Sequence, residues 1–582
     1  MVHLPFQKNH NLISCSSMNN KNKTDISLFS IHSSFIHPPL GIASLASYLG
    51  QKGLTAKPYN VSLPQEEKDE YDYFLQKAMK EPELFLILIG DKVENTGDPE
   101  FTQKYNNLRK ILSIWVDVAK RDDPLAIGIS ILNRNLFLSL AFAKLIREEL
   151  KDCKIILGGP ECQDIRLIKH FLEHNLADVV IQGEGEDALY KILVKIKKGD
   201  FSKTTGSMIK TGDEVLCGEA PAPLNIDSLT PPVFEGFSPA KYPDMILPFA
   251  FVRGCVYKCK FCTDFLYWES FRQMEVSQAV EQLRHLKKTY NARKFYFCQP
   301  MINTHLDWLA EFSQILIKNK LNILWGGFAR IDVKMDKDFL KTLYKGGCRF
   351  FHFGVESGSK KLLNKMNKGI QPDNVSKVIQ SAVESGMWVS CSFIIGYPGE
   401  TEEDILQTLY FILENSQHID QLEIAQYVPD NERVKHETSE TTDIIDYFKK
   451  RKRSISYLSV FYQKNRRVLQ KFIRVFKENV ISVNLPEKDK SGTIWSKRFN
   501  GSLILHEKGA CYYKRLTATH LLMYYLLNES SREVISGNLN LENFNALFAD
   551  FSKKNELEKI HFNDRNARIG ESLYTLLREQ KV

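Results

Sequence analysis

The stretch Arg253-Gly254-Cys255-Val256-Tyr257-Lys258-Cys259-Lys260-Phe261-Cys262 sets three thiols in a C-x3-C-x2-C spacing. Thiolates are the ligands of iron–sulfur clusters, and a loop this short can bring three of them to one cubane. Three thiolates hold three irons of a [4Fe–4S] cluster and leave the fourth open for chemistry, whereas four would suggest an electron carrier. A zinc knuckle is the competing assignment, but zinc sites usually take C-x2-C pairs with a second pair downstream. No such second pair occurs, because the other cysteines are scattered at positions 15, 153, 162, 217, 298, 348, 391 and 511. That scatter encodes neither a second cluster nor the disulfide framework of a small secreted chain.

The elements that must position these thiols read as two successive α/β runs. From Ile246 onward apolar strand-like stretches alternate with helical ones: 247–253, 276–290, 294–298, 305–318, 322–328, 336–345, 349–353, 359–366, 373–385, 388–395, 402–415 and 421–425. Such alternation is the trace of parallel strands covered by helices, and active sites on parallel barrels sit at the carboxyl ends of the strands. The cysteine loop follows the first strand. A similar alternation precedes it, at 26–31, 40–51, 125–130, 136–150, 154–157, 165–174 and 178–181, and predicts a second parallel sheet. Its strand-end loops hold Ser33, Pro39 and Gly41, then Asn133, then Gly158 and Gly159, then Gly183 and Glu184. Ligands of open parallel sheets bind at such loops.

With these motifs in hand, the cysteine segment resembles the radical S-adenosylmethionine (SAM) superfamily, whose signature carries an aromatic residue before the third cysteine, here Phe261. The resemblance implies a partial (β/α)6 barrel, with SAM on the open iron and its one-electron cleavage to methionine and a 5′-deoxyadenosyl radical. It also implies SAM-binding places at Phe261, at Glu356 and Ser357 in Gly354-Val355-Glu356-Ser357-Gly358, at Gly396 in the fifth-strand element, and at Arg330 after the third strand. The second strand departs from the family: Cys298-Gln299-Pro300 stands where many relatives have paired acidic residues, and Cys298 reads as a packed thiol.

The amino-terminal loops, taken in order, resemble the Rossmann-like cobalamin domain of B12-dependent radical SAM enzymes. They supply a Pro-Pro-Leu-Gly turn at 38–41, a Gly-Gly-Pro turn at 158–160 and a Gly-Glu-Gly-Glu turn at 183–186. The Asp-x-His-x-x-Gly signature is absent, so this resemblance implies cobalamin bound base-off, and His37 reads as a helix-start or surface histidine rather than a cobalt ligand. Three extra upstream cysteines, which the methylthiotransferase branch carries, are missing.

The expected organisation is therefore a polar segment 1–25, a cobalamin-binding domain 26–199 with an insertion at about 64–124, and a proline-rich linker 200–245. A radical SAM barrel 246–430 and a mainly helical carboxyl-terminal region 431–582 complete it. Between Ser496 and Ile535 a strand–turn–strand–helix order faintly resembles a peptide-leader recognition fold, with a lid over the substrate as the plainer reading. The net charge of +8 is mild for 582 residues, and the run Lys449–Arg453 reads as a solvated face, so no stable nucleic-acid partner is expected. No stretch is long and apolar enough to span a bilayer, and the polar first 25 residues lack a secretory core, which predicts a cytoplasmic enzyme.

The functional expectation is methylation of an unactivated carbon in a peptide or small-molecule metabolite. The implied cofactors are a [4Fe–4S] cluster, SAM and cobalamin, with an external low-potential donor such as ferredoxin or flavodoxin. A B12-dependent rearrangement or cyclisation is the enzymatic alternative, and a cobalamin or redox sensor is the alternative of another class.

Overall fold

The computed structural model describes residues 24–32, 37–62, 99–132, 135–212, 214–237 and 246–427, apart from 263, 269, 416, 417 and 420. The basic run 449–453, the two-strand motif near 502–513 and the rest of the carboxyl-terminal region lie outside the described residues, as do Ser33 and Asn133.

The first unit is built from β1 (Ile26–His32), α1 (Leu40–Gln51), β2 (Ala56–Ser62), α2 (Pro99–Asp122), β3 (Ala126–Ser130) and α3 (Leu136–Glu149). It continues with β4 (Lys154–Gly158), α4 (Ile165–Glu173), β5 (Val179–Ile181), α5 (Gly185–Lys197), β6 (Ser207–Thr211) and β7 (Glu214–Cys217). The sheet order is β2-β1-β3-β4-β5-β6-β7, parallel from β2 through β5, and closed by an antiparallel hairpin. Central strands β3 and β4 are buried on both faces and read as unbroken apolar runs, as parallel strands between helical layers must.

Three expectations are corrected here. Strand β2 went unread in the sequence because it carries Pro58 and mostly polar neighbours; it is an edge strand, where a missing N–H costs least. The later part of the expected insertion is α2, the covering helix of the β2–β3 crossover, with Phe101, Tyr105, Leu108, Leu112, Val116 and Ala119 buried at i, i+3/i+4 spacing. The expected linker begins with the β6–β7 hairpin, so the sheet unit runs to Cys217 and the strap is shorter.

The second unit comprises β8 (Ile246–Phe249), β9 (Val252–Arg253), α6 (Asp264–Tyr267), β10 (Arg272–Gln273), α7 (Val276–Tyr290), β11 (Lys294–Phe297), α8 (Leu306–Lys318) and β12 (Leu324–Ala329). Then follow α9 (Lys337–Lys345), β13 (Cys348–Glu356), α10 (Lys360–Lys365), α11 (Pro372–Glu384), β14 (Trp388–Ile395), α12 (Glu402–Glu414) and β15 (Gln421–Gln426). Six parallel strands lie in the sequential order β8-β11-β12-β13-β14-β15, the partial barrel that the alternation predicts. Side chains alternate across it. Phe249, Phe297 and Trp325 point to the helical layer, where Phe297 stacks on Trp325 at 5.2 Å and Phe312 of α8 meets both. One continuous apolar core runs from α1 and α5 through Phe234 and Phe237 of the strap into α7 and the barrel strands.

A candidate cluster and SAM site at the barrel mouth

The cysteine loop is the connection between β9 and β10, which pair antiparallel with Arg253 opposite Arg272. It therefore leaves the first barrel strand as a hairpin with a fixed base. Cys259 is buried and Cys255 and Cys262 half-buried, none in a disulfide. Burial pushes the Cys255 thiol up and the Cys262 thiol to about 12, where the Asp264 carboxylate adds to the effect and accepts from Sγ at 3.6 Å. Cys259 contributes to both shifts, which places the three sulfurs within electrostatic reach of one another. Among the described residues no three side chains of metal-binding type crowd around a single-ion position. Since burial favours the protonated form of Cys255 and Cys262, loading iron there must release protons.

Two buried cations flank the loop. Arg330, just beyond β12, is 9% exposed; its Nη1 lies 3.5 Å from Cys259 Sγ and its guanidinium sits 3.8 Å over the Tyr257 ring. Asn303 fixes it by bonding both its N–H and its C=O. Lys368, which the sequence reading missed, donates to Glu356 Oε1 at 2.8 Å and lies 5.3 Å from the Phe261 ring. Glu356 is buried at φ +71°, an unusual value for a side-chain-bearing residue that turns its carboxylate out of strand register at a bulge of β13. Phe261 itself packs with Leu362, Met366, Tyr397 and Tyr427.

The neighbouring places differ in character. Ser357 is wholly buried, with its hydroxyl at 3.0 Å from Thr408 Oγ1 and accepting from Ser359 N–H, so it shapes the strand-end loop. Gly396, at φ +84°, donates its N–H to Glu400. Burial pushes the Glu400 carboxyl up to about 8. Cys298 is a packed thiol as expected, raised to about 12 by burial and donating to Phe249 C=O.

At the carboxyl ends of the first sheet, Pro39 is the N-cap of α1, and a Cβ built on Gly41 would meet nothing within 4 Å. Gly159 is different: at φ +104°, a Cβ there would sit 2.6 Å from Ile131 O, so packing of the β3 and β4 loops alone requires glycine. Gly158 sees only Ile181, and Gly183, at φ +74°, lies beside Pro221. A cavity of about 360 Å³ opens next to Gly183, between Gln163, Gln182 and Glu184 and the strap residues Glu219 to Pro223, and reaches Tyr267 beside the cysteine loop.

Glu184 joins the two units. Arg253 Nη1 donates to Glu184 Oε2 at 2.7 Å and its Nη2 to Glu186, while Arg272 donates to the other oxygen of Glu184. All four side chains are 15% exposed or less. Burial alone would raise the Glu186 carboxyl, but Arg253 more than reverses this and holds it below the usual carboxylate range. The amino terminus of α5, where acidic residues are favoured, is thereby clamped to the base of the cysteine hairpin. The sequence offered one hint, an arginine directly before Gly254-Cys255. His37, expected as a helix-start or surface histidine, stands just ahead of α1 and packs into this seam: its ring stacks on Tyr296 of β11 at 5.4 Å, and burial lowers its pKa.

Residues 249–412 match the family model of the radical SAM superfamily. That superfamily is matched over the barrel unit, less than half of the chain. Its members use a [4Fe–4S] cluster and SAM, and the radical SAM match begins at the last residue of β8 and ends within α12. An uncharacterized methyltransferase of Pyrococcus horikoshii is 27% identical over 301 residues, covering 50% of this chain and 65% of the relative. The anaerobic magnesium-protoporphyrin IX monomethyl ester cyclase of Rubrivivax gelatinosus is 25% identical over 242 residues, covering 40% of this chain and 44% of the relative. The matched stretches thus span less than two thirds of these relatives. In fold, the radical SAM chain is similar to the cobalamin-dependent enzyme OxsB, solved with aqua-cobalamin and SAM (TM-score 0.58, 15% identity, 96% of this chain and 80% of that one). It is also similar to the methyltransferase TsrM of Kitasatospora setae, solved with cobalamin and a [4Fe–4S] cluster (TM-score 0.51, 13% identity, 69% and 75%). The expected α/β architecture, with a parallel-sheet unit ahead of the barrel, is therefore a fold shared with OxsB and TsrM. Among the described residues no helix is long and apolar enough to cross a membrane.

Proposed function

We propose that this protein is a cobalamin-dependent radical SAM methyltransferase acting on an unactivated carbon of a small molecule or peptide. One observation carries the reading: the buried Glu184–Arg253–Glu186–Arg272 network fastens the strand-end loops of the sheet unit to the hairpin that bears the three cysteines. A protein that used either site alone would have no need to hold the two in register. Similarity to a methyltransferase supports transfer of a methyl group.

Cys255, Cys259 and Cys262 would hold the cluster, and Phe261, Arg330, Glu356 and Gly396 would line the SAM place, with Ser357 and Lys368 holding the loop and the carboxylate. Pro39, Gly41, Gly158 and Gly183 would face cobalamin. When bound, these groups supply a radical able to take hydrogen from carbon and a carrier able to deliver a methyl group. The chain's own part is to orient and to keep water out. Arg330 compensates negative charge at Cys259, Glu356 offers a carboxylate held by Lys368, and the buried Glu184–Arg253–Glu186–Arg272 network holds the two units together. His37 stands one residue before Pro38-Pro39, and its bond to Pro38 O and its stacking on Tyr296 give it a packing role.

The test is anaerobic reconstitution with iron, sulfide and cobalamin, followed by SAM, a low-potential reductant and cell extract, with products read by mass spectrometry. Both 5′-deoxyadenosine and S-adenosylhomocysteine are expected, and a Cys255→Ala/Cys259→Ala/Cys262→Ala variant should lose the first. Similarity to the cyclase favours a second reading, ring closure without methyl transfer, for which deoxyadenosine would form alone. Neither product, from protein with an intact cluster, would refute both enzymatic readings and leave the sensor.

A further inference from the structure

The inner face of the barrel sheet, opposite the helices, carries a wall of rings. Because side chains alternate, Tyr296, Phe328, Phe350, His352 and Ser390 share the face that Phe297, Trp325 and Phe351 do not. Register sets them in two rungs. Tyr296, Gly326 and Phe350 align on β11, β12 and β13, and Phe328, His352 and Ser390 align on β12, β13 and β14. A Cβ at Gly326 would overlap the Phe350 ring at 2.0 Å, so the glycine leaves room for Phe350 to lie across β12 and stack with Tyr296 at 6.1 Å and 17°. Phe328 meets the His352 ring edge-on at 4.6 Å, and Ser390 Oγ lies 3.1 Å from His352 Nδ1.

Phe328 decides what this wall is for. Its strand neighbours are buried, yet it is 38% exposed, an inward-facing phenylalanine that can be so only with open space above it. Tyr257 of the cysteine loop, also 38% exposed, rims that space over Arg330, two residues beyond Phe328. On the other side Tyr296 is capped by His37 from the sheet unit. The open space thus lies between Tyr257 of the cysteine loop and His37 of the sheet unit. Neither rung carries a charged side chain, and burial holds His352 at a pKa of about 4, so its imidazole is neutral at physiological pH. The nearest cation on this face, Arg330, already lies against Cys259 Sγ and the Tyr257 ring, so an anion at these rungs would lose its hydration with no uncommitted cation among the described residues of the wall to replace it.

We propose that the space above Phe328 and His352 is the substrate cavity, and that it takes an uncharged, flat ring system bearing a hydrogen-bonding heteroatom, not a phosphorylated or carboxylated metabolite. The rings offer stacking and edge contacts, while Ser390 and His352 offer the polar handle that fixes orientation. This inference rests on the activity proposed above, and it names the substrate class for that same site.

The test is binding, without turnover, of three probes to the full reconstituted chain by equilibrium dialysis: 1-naphthol, 1-naphthyl phosphate, and the saturated decahydro-1-naphthol. We expect 1-naphthol to bind about ten-fold or more tightly than either of the others, and Phe328→Ala to weaken it about ten-fold. Phe328→Leu, which keeps apolar bulk but not the ring, should fold as wild type and still lose the preference for naphthol over its saturated analogue. Equal or tighter binding of the phosphate overturns the inference, as does unchanged naphthol binding in both Phe328 variants. Deoxyadenosine formation in the same preparation separates the two proposals. With that product formed, a failure to prefer naphthol sinks the cavity assignment alone; naphthol preference without the product supports the cavity and sinks the proposed activity.

Discussion

Replacing Arg253 by methionine should make the stability of this protein fall with pH in a calculable way. In the wild type the Glu186 carboxyl is held below its ordinary value of 4.5 by Arg253, so it stays ionised in both folded and unfolded chains above that pH. Arg253→Met strands Glu186, which is 6% exposed as a side chain, while Glu184 keeps Arg272. A stranded buried carboxylate takes a proton rather than remain charged. The folded variant then binds a proton that the unfolded chain releases above pH 4.5, and stability falls as pH rises. The penalty cannot exceed the cost of holding that proton, about 1.36 kcal/mol per pH unit, or about 4 kcal/mol at pH 7.5. This agrees with the roughly 3–5 kcal/mol found when one partner of a buried pair is removed. Urea unfolding at pH 5 and pH 7.5, followed by tryptophan fluorescence, tests this, since Trp268 lies under the Arg253 guanidinium at 5.4 Å. The destabilisation should grow by about 3 kcal/mol between the two pH values, and Arg253→Met/Glu186→Gln should abolish that growth. A pH-independent destabilisation, or a double variant that keeps the slope, would refute the reasoning.

Four further outcomes are expected. Glu400, protonated in the folded state up to about pH 8 but ionised when unfolded above about 4.5, subtracts stability as pH rises through that window; Glu400→Gln should raise the melting temperature at pH 8 and change it little at pH 5. Gly41→Ala, on a helix with free space at Cβ, should stabilise the apoprotein by about 1 kcal/mol yet weaken retention of added cobalamin on gel filtration. Gly159→Ala should instead destabilise the apoprotein, because its Cβ would strike Ile131 O. Loss of the cation beside Cys259 in Arg330→Gln should make the cluster harder to reduce, by on the order of 100 mV in an EPR redox titration; an unchanged potential would place Arg330 away from the cluster.

The cysteine triad, the two α/β runs and the strand-end glycines were legible in the sequence because each is a local pattern. A three-thiol spacing, an apolar period and a Gly-Gly-Pro turn depend on residues close together in the chain. The edge strand β2 was hidden because its polar residues and Pro58 break that period, and the segment 64–124 was expected to hold helices of its own but not the β2–β3 crossover helix, which segment length does not reveal. Residues joined only by folding left almost no trace. Lys368 reaches Glu356 across twelve positions, Arg253 meets Glu184 across 69, and His37 stacks on Tyr296 across the seam between units. Ser357 and Gly159, prominent as motif letters, turned out to be held by protein contacts of their own. The sequence by itself determined which ligands the cluster loop offers and which folds carry it, since both follow from nearest neighbours along the chain. Only the tertiary structure decided which charges are buried together and which rings face the open space, because desolvation and contact depend on what the rest of the chain brings alongside.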